Sequence, residues 1–466
     1  MFTSQPTWNL KRLKATFAEV QDAILKNQPP SEDTLKALSE VAAVPEALRQ
    51  RAATESGRVT GHVLGVALRR GKVHWNALNA LTQAVKADPD GAGIARDLVA
   101  YLQGVKAMNR ALIAGDALAV AEVNLGPHRA VLDVALSEVE RAWPGARSLN
   151  ILRAGLVSLD DRTAARDLYG AAIEGGWETM ATSIYDLGAH TYFSGPEVWA
   201  RRRPIEETIP RADVAEAIAA RPAPYNRPWV TLLWSVDPGF LRIYGPQWFG
   251  LAPYLLNEGI GMAMVVAGPR AERQAAIAEA RELITGLARY RNLPEPERYA
   301  DAISFIGVDV PDWIGETKTF YASARYLAAG PVLEATGAPV FVLDADQTVR
   351  DHMGPFLKKL LKFDVGMTRS RGLALLWPWR RNMAGAAFFN TTPGGQAVLA
   401  RIRDYLTAGL AENPSWTLDQ NALTFALEQA GDASVIDIAT AGRPLFQDAV
   451  RTVFEKTWRE GPATPP

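Results

Sequence analysis

The chain contains no cysteine, which excludes disulfides, thiolate nucleophiles and cysteine-held metals and permits a reducing compartment. Histidine is scarce, limited to His62, His74, His128, His190 and His352, and no His-Glu-x-x-His occurs. Neither a Gly-x-x-x-x-Gly-Lys-Ser/Thr phosphate loop nor a Gly-x-Ser-x-Gly elbow is present. Charge of one sign is lacking too. Lys plus Arg (50) nearly balances Asp plus Glu (51), without the basic signature of a dedicated nucleic-acid binder. Long apolar runs are missing. The most apolar stretches, Val230 to Val236 and Met262 to Ala267, fall far short of the roughly 20 residues that cross a bilayer. Met1 to Gln21 has no continuous apolar core or small-residue cleavage site of a signal peptide. These absences predict a cytoplasmic protein with no transmembrane segment and no nucleic-acid partner; peripheral contact with a membrane stays open.

What is present falls into two halves. At 466 residues, the chain is long enough for roughly two to three domains with sizeable cores. From about residue 8 to 220, Ala, Leu, Glu and Arg dominate and apolar residues recur at helical spacing. Leu98, Tyr101, Leu102 and Val105 trace one face, and Val131, Val134, Ala135 and Val139 trace another. Asp88-Pro89-Asp90-Gly91, Gly126-Pro127, Trp143-Pro144-Gly145 and Gly175-Gly176 punctuate the helices. Trp75 to Arg110 looks like a tetratricopeptide-type repeat, yet Asp88-Pro89 and Trp143-Pro144 are 55 apart and no period of about 34 emerges, so an irregular bundle stands beside it. Residues 201–228, with Arg201-Arg202-Arg203-Pro204 and Arg221-Pro222-Ala223-Pro224, form a connector that prolines keep from helix. The expected domains are an all-α domain over 1–225 and an α/β domain over 226–466.

After Pro228 strands alternate with helices. Strands are expected at Trp229 to Val236, Gly261 to Ala267, Ala302 to Val308 and Pro339 to Leu343; helices at Phe240 to Asn257, Ala271 to Arg291 and Lys318 to Ala335. This is a βαβ series with a mostly parallel, Rossmann-like sheet. The fourth strand ends on Asp344-Ala345-Asp346. Ligands gather at the carboxyl ends of such strands, and residues two apart on an extended chain point the same way. Both carboxylates then face one hard cation such as Mn²⁺ or Mg²⁺, which also holds a diphosphate. Trp248 and Trp313 are read as core. Trp377-Pro378-Trp379-Arg380-Arg381 suits stacking on a sugar as well as packing.

Four pieces in order over roughly residues 228 to 435 resemble the GT-A-type nucleotide-sugar glycosyltransferases, nearest the glycogenin-like retaining group. They are Ser235-Val236-Asp237-Pro238; the helix with Lys318 and Arg325; Leu343-Asp344-Ala345-Asp346; and Phe388-Phe389-Asn390 with Leu418-Asp419-Gln420. The resemblance implies that Ser235 and Asp237 lie at the nucleotide, with Phe240 and Tyr244 beside them. It implies that Lys318 or Arg325 neutralises the diphosphate and that Asp344 and Asp346 hold the metal and ribose. Asn390, Asp419 and Gln420 would then hold the sugar hydroxyls. The donor implied is a UDP- or GDP-sugar, the acceptor a protein or glycan docked partly by the helical domain. Two departures stand out: Thr391-Thr392 follows Asn390 where relatives often carry a small residue and glycine, and no late histidine completes the metal site.

Two other readings compete. Asp344-Ala345-Asp346-Gln347-Thr348-Val349, with Gly431-Asp432 and Asp437, also looks like a haloacid-dehalogenase-type Mg²⁺-dependent phosphatase, in which Asp344 would be the nucleophile. Against this, no lysine occurs between Lys362 and Lys456, and the aspartates follow three strands instead of opening the domain. The last reading is a non-catalytic helical scaffold with a vestigial sugar-nucleotide domain.

Overall fold

A computed structural model describes residues 93–114, 128–158, 160–173, 208–314, 317–349, 353–370, 372–376, 381–412, 418–442 and 445–447, with single residues 15, 19, 31 and 33. The chain divides into two compact units, Met1–Phe193 with Arg371–Pro378, and Ser194–Ser370 with Trp379–Pro466.

The described part of the first unit is helical: α1 (Gly93–Ala114), α2 (Arg129–Ala142), α3 (Leu149–Val157) and α4 (Arg162–Ile173), joined by a 3-10 turn at Gly372–Leu376. On α1 the expected face is buried at Tyr101, Leu102 and Val105. Gly104 lets α3 approach closely, since a Cβ there would lie 2.4 Å from Leu152 Cδ1. On α2 the buried stripe is Leu132, Leu136 and Val139, whereas Val131 and Val134 are 51% and 60% exposed. The expected stripe is therefore rotated, because two leucines offer more apolar area to bury than two valines. Arg153 of α3 ties back to Asp133 and Glu140 of α2. Of the repeat-like stretch, Trp75 to Asp90 lies outside the described residues.

The second unit is an α/β layered domain. Its elements are α5 (Arg211–Ala219), β1 (Val230–Val236), α6 (Pro238–Asn257), β2 (Ile260–Ala267), α7 (Arg270–Tyr290), α8 (Pro296–Asp301), β3 (Ile303–Val308), α9 (Thr317–Thr336) and β4 (Val340–Leu343). There follow β5 (Gln347–Val349), α10 (Met353–Leu360), β6 (Val365–Arg369), β7 (Asn382–Phe389), α11 (Pro393–Glu412), α12 (Leu418–Glu428), β8 (Val435–Asp437), α13 (Ile438–Ala441) and β9 (Leu445–Gln447). The first four strands lie within a residue or so of their expected positions. Helix α5 falls inside the expected connector: Val214 and Ile218 bury against the sheet domain, and that gain outweighs the flanking prolines. Arg221 of the same connector is also buried, donating to Ser304 Oγ and Met262 O at 2.7 and 2.9 Å. Burial pushes its guanidinium pKa down to about 10.

Seven strands form one mixed sheet in the order β3-β2-β1-β4-β7-β6-β8, parallel throughout except for β7. Strand alternation sorts side chains to two faces. Leu233, Val340 and Val342 pack under α5, α9, α11 and α12. Trp234, Phe341 and Leu343 pack under α6, α7, α8, α10 and α13. Full coverage explains why the parallel strands are apolar runs without alternation. Trp248 is buried as expected, but Trp313, in the loop after β3, is 45% exposed. The antiparallel pair β5-β9 forms a separate two-stranded sheet. Among the described residues no helix is long and apolar enough to cross a membrane.

Candidate functional site

The strand order reverses between β1 and β4. The sequence runs outward through β2 and β3, then returns through α9 to β4 on the other side of β1. The crevice at the carboxyl ends of β1 and β4 is where open α/β sheets take ligands. Val340 and Val342 of β4 point to the face carrying α9 and α12. Asp344 has the same parity and meets Arg325 of α9 there. Opposite β4, the antiparallel β7 places Ala386 against Leu343, and Gly385 O accepts from Asp344 N at 2.9 Å.

Arg325 is the hub. Its Nη2 donates to Asp419 Oδ2 and to Ala384 O, each at 3.1 Å, and forms an ion pair with Asp344 Oδ1 at 2.8 Å; the residue is 4% exposed. Tyr326 OH donates to the same Ala384 carbonyl at 2.7 Å. That carbonyl faces the helices because β7 carries extra residues relative to β6: Met367 pairs Ala387, but Thr368 pairs Met383. Such bulges re-aim groups beside sites. Burial opposes the Arg325 charge, yet Asp344, Tyr326 and Asp419 together hold its pKa above the ordinary value. Burial pushes Asp419 up, with Arg325 and the Gln420 N–H pulling back. It also pushes Asp344 up against Arg325, with Asp419 adding to the rise. Asp344 keeps 37% of its side chain exposed, so water tempers its shift. One cation thus serves two carboxylates, leaving a formal charge of −1.

The loop after β4 is anchored from α6. Gln247 Nε2 donates to Ala345 O and Gln347 O at 3.1 and 2.9 Å, and Trp248 Nε1 donates to Ala345 O at 3.0 Å. Residues 344–347 close a turn, with Gln347 N donating to Asp344 O at 3.3 Å. The chain is therefore not extended across Asp344 and Asp346, and the expected two-residue alternation does not govern them. The donor set still suits a hard cation. Gly385 leaves a hollow in which a Cβ would lie 3.2 Å from Asp344 Oδ2 and 2.6 Å from Gln347 Nε2. Gln347 Oε1 is buried there without a hydrogen-bond partner. Asp344, Asp346 and the Gln347 amide are the oxygens that would hold Mn²⁺ or Mg²⁺. Among the described residues no group of three His, Asp or Glu forms.

The other expected residues separate into those near this cluster and those away from it. Asp419 and Gln420 open α12, where Asp419 Oδ1 accepts from Gln420 N at 2.8 Å. Ser235 ends β1 and donates to Tyr321 O of α9 at 2.7 Å. Asp237 caps α6, accepting from Phe240 N at 2.7 Å. Tyr244 is buried against Phe240, with ring centroids 5.2 Å apart. Lys318 is exposed on the first turn of α9. Arg325 is committed to two carboxylates inside the fold, so it orients the site's acids and does not offer an open face to a diphosphate.

Asn390 does not join the cluster. Because β7 is antiparallel, its end pairs with the start of β4, Phe389 against Val340. Asn390 is five residues beyond Gly385 along the strand, roughly 17 Å. There Nδ2 donates to Leu361 O and Phe363 O at 3.0 and 2.9 Å, a structural tie. Asn382, at the start of β7, ties that strand to α12. It is buried, its Nδ2 donates to Thr424 Oγ1 of α12 at 2.9 Å, and its Oδ1 has no partner. Strand direction, which sequence does not encode locally, carries Asn390 away from Asp344. Trp377 to Arg380 and Trp416-Thr417 lie outside the described residues. Asp437 caps α13 at the end of β8, three strand spacings from β4, roughly 14 Å.

Comparison with protein-family models, curated proteins and solved structures returns no match to this chain. Its function is then read from the chemistry of the site.

Proposed function

We propose that the chain is a GT-A-type glycosyltransferase that moves a sugar from a nucleotide-diphosphate donor to a protein or glycan acceptor. The observation that carries this reading is the convergence of Asp344, Arg325 and Asp419, from β4, α9 and α12, at the switch point of a doubly wound sheet. A diphosphate would lie across the ends of β1 and β4, between the Asp237 and Asp344 loops. A divalent cation held by Asp344 and Asp346 would supply positive charge to the leaving diphosphate. Arg325 opposes the rise that burial imposes on the Asp344 and Asp419 carboxyls and fixes their direction. Asp419 and Gln420, at the start of α12, are the groups proposed to hold the sugar hydroxyls. Transfer through an oxocarbenium-like centre then needs the sugar held while its anomeric bond lengthens. Retention of configuration follows the resemblance, and the helical unit is the proposed acceptor dock.

The placement of Asp437 supports this reading over the phosphatase, since an acid far from Asp344 cannot share a cation with it.

Titration calorimetry with UDP, GDP and their sugars, with and without Mn²⁺, tests the proposal on wild type and on Asp346→Asn, which leaves the Arg325 pair intact. Metal-dependent binding of one sugar nucleotide, lost in the variant, is expected. Absence of all such binding, with Mg²⁺-dependent phosphate release from simple esters, would overturn it.

A further inference from the structure

We propose that Gln247 and Trp248 of α6 are positioning residues for the candidate cation site, holding the 344–347 turn by the two carbonyls that flank Asp346. The need arises from where the turn lies. Strand β4 ends at Leu343, whose partner on β7 is Ala386, and Asp344 N still donates to Gly385 O at 2.9 Å. A second ladder takes over at Gln347, which pairs Gln447 of β9. Ala345 and Asp346 fall between the two ladders, and the bond that closes their turn, Gln347 N to Asp344 O, is long at 3.3 Å. A carboxylate that is to share a cation must be held to within about 0.5 Å of its working position. Side chains of α6 reach the peptide units that lie between the ladders.

Gln247 Nε2 serves both carbonyls, Ala345 O at 3.1 Å and Gln347 O at 2.9 Å, and Trp248 Nε1 adds a second donor to Ala345 O at 3.0 Å. Two acceptors facing one amide fix which end of the amide is turned to them. Gln247 Oε1 is left buried without a hydrogen-bond partner, a cost the fold tolerates where the amide nitrogen binds twice. The donors are themselves firmly seated. Trp248 is 1% exposed and its ring packs on Trp234 of β1, with centroids 4.4 Å apart, while Leu241, Tyr244, Phe249 and Ala252 bury the same helix in the same core. Ala345 belongs to that core as well, so the residue between the two acids is a buried wedge. Neither Gln247 nor Trp248 needs to touch the cation; they act through the backbone on either side of Asp346.

Two variants of the full chain test this. Gln247→Met keeps the length of the side chain and removes the donor; Gln247→Glu keeps the shape and sets carboxylate oxygens against the two carbonyls. In hydrogen–deuterium exchange, amides of 344–347 are expected to exchange roughly tenfold faster in both, while β1 to β3 keep their protection and Tm stays near that of wild type. Mn²⁺ affinity, titrated with UDP and with GDP present, is expected to fall by about 10- to 100-fold in Gln247→Met, as it does when a metal site loses an outer support. If Gln247→Glu does not fold, Gln247→Met decides. A merely structural tie would lower protection evenly across β1 to β4 and Tm with it; that result, or unchanged exchange at 344–347 in Gln247→Met, would overturn the proposal. Faster exchange with undiminished Mn²⁺ affinity would overturn it too. The affinity arm rests on the donor-site reading: if wild type binds no Mn²⁺ that reading falls, and the exchange arm still decides whether α6 holds the turn.

Discussion

Arg325→Met removes the cation that Asp419 and Asp344 share while keeping most of the side-chain volume. Taking one partner from a buried ion pair costs about 3–5 kcal/mol, chiefly because the charge left behind is unpaired. Asp419 is 5% exposed and bears that cost; Asp344, with an open face, shares less of it. For a domain of this size the loss corresponds to a fall in Tm of roughly 10 °C. The pH dependence is the sharper test. Without Arg325, burial and the neighbouring Asp344 raise the Asp419 pKa further above its unfolded value. The native state then binds more protons than the unfolded state between the two pKa values, so stability falls as pH rises through that window. The variant should therefore regain stability relative to wild type on acidification from pH 8 to about pH 5. Thermal melts of both proteins across that range, with Arg325→Met/Asp419→Asn as the closing corner of a double-mutant cycle, measure the coupling. A Tm near that of wild type at every pH would refute the counter-ion role. So would additive losses in the double variant.

The remaining predictions separate structural from site roles. Asn390→Ala should destabilise the protein by about 1–3 kcal/mol, through two carbonyls left without their donor, and leave nucleotide-sugar affinity unchanged. Gln420→Ala, by contrast, should weaken that affinity with little change in Tm; calorimetry and melting on both variants check the difference. Gly385→Ala places a methyl where Gln347 Nε2 and Asp344 Oδ2 lie, so Mn²⁺-dependent binding should drop while Tm changes little, since the Gln347 side chain can turn aside. Hydrogen bonds from Thr392, Ser434 N and Ser434 Oγ hold the Asp364 pKa below the usual carboxylate range. The resulting stability is present above the unfolded pKa of about 3.9 and is lost as pH falls through the folded value. Asp364→Asn should therefore flatten acid unfolding below about pH 4, and an unaltered acid limb would show that these bonds carry no linkage.

The local periodicity of the chain determined most of the elements around the site. Apolar runs bounded by glycine and proline marked β1 to β4, because a strand covered on both faces must be apolar throughout. Asp344 was legible as the residue that ends such a run, and Asp419 as an acid opening a helix. What sequence spacing did not contain is which elements return to the same edge. The antiparallel direction of β7 carries Asn390 to the far end of β4 from Asp344. The bulge between Met367 and Thr368 turns the Ala384 carbonyl toward Arg325, and no residue pattern announces it. Arg325 was visible as a cation near a diphosphate, but only packing made it a buried counter-ion, since burial depends on which helices cover it. Leu373, Leu375 and Leu376 drew no reading from the sequence. Their home in the helical unit depends on contacts more than two hundred residues away in the chain, such as Ser158 with Leu376. Periodicity is a property of neighbours along the chain, whereas a site is a meeting of residues distant in it, and tertiary packing alone arranges that meeting.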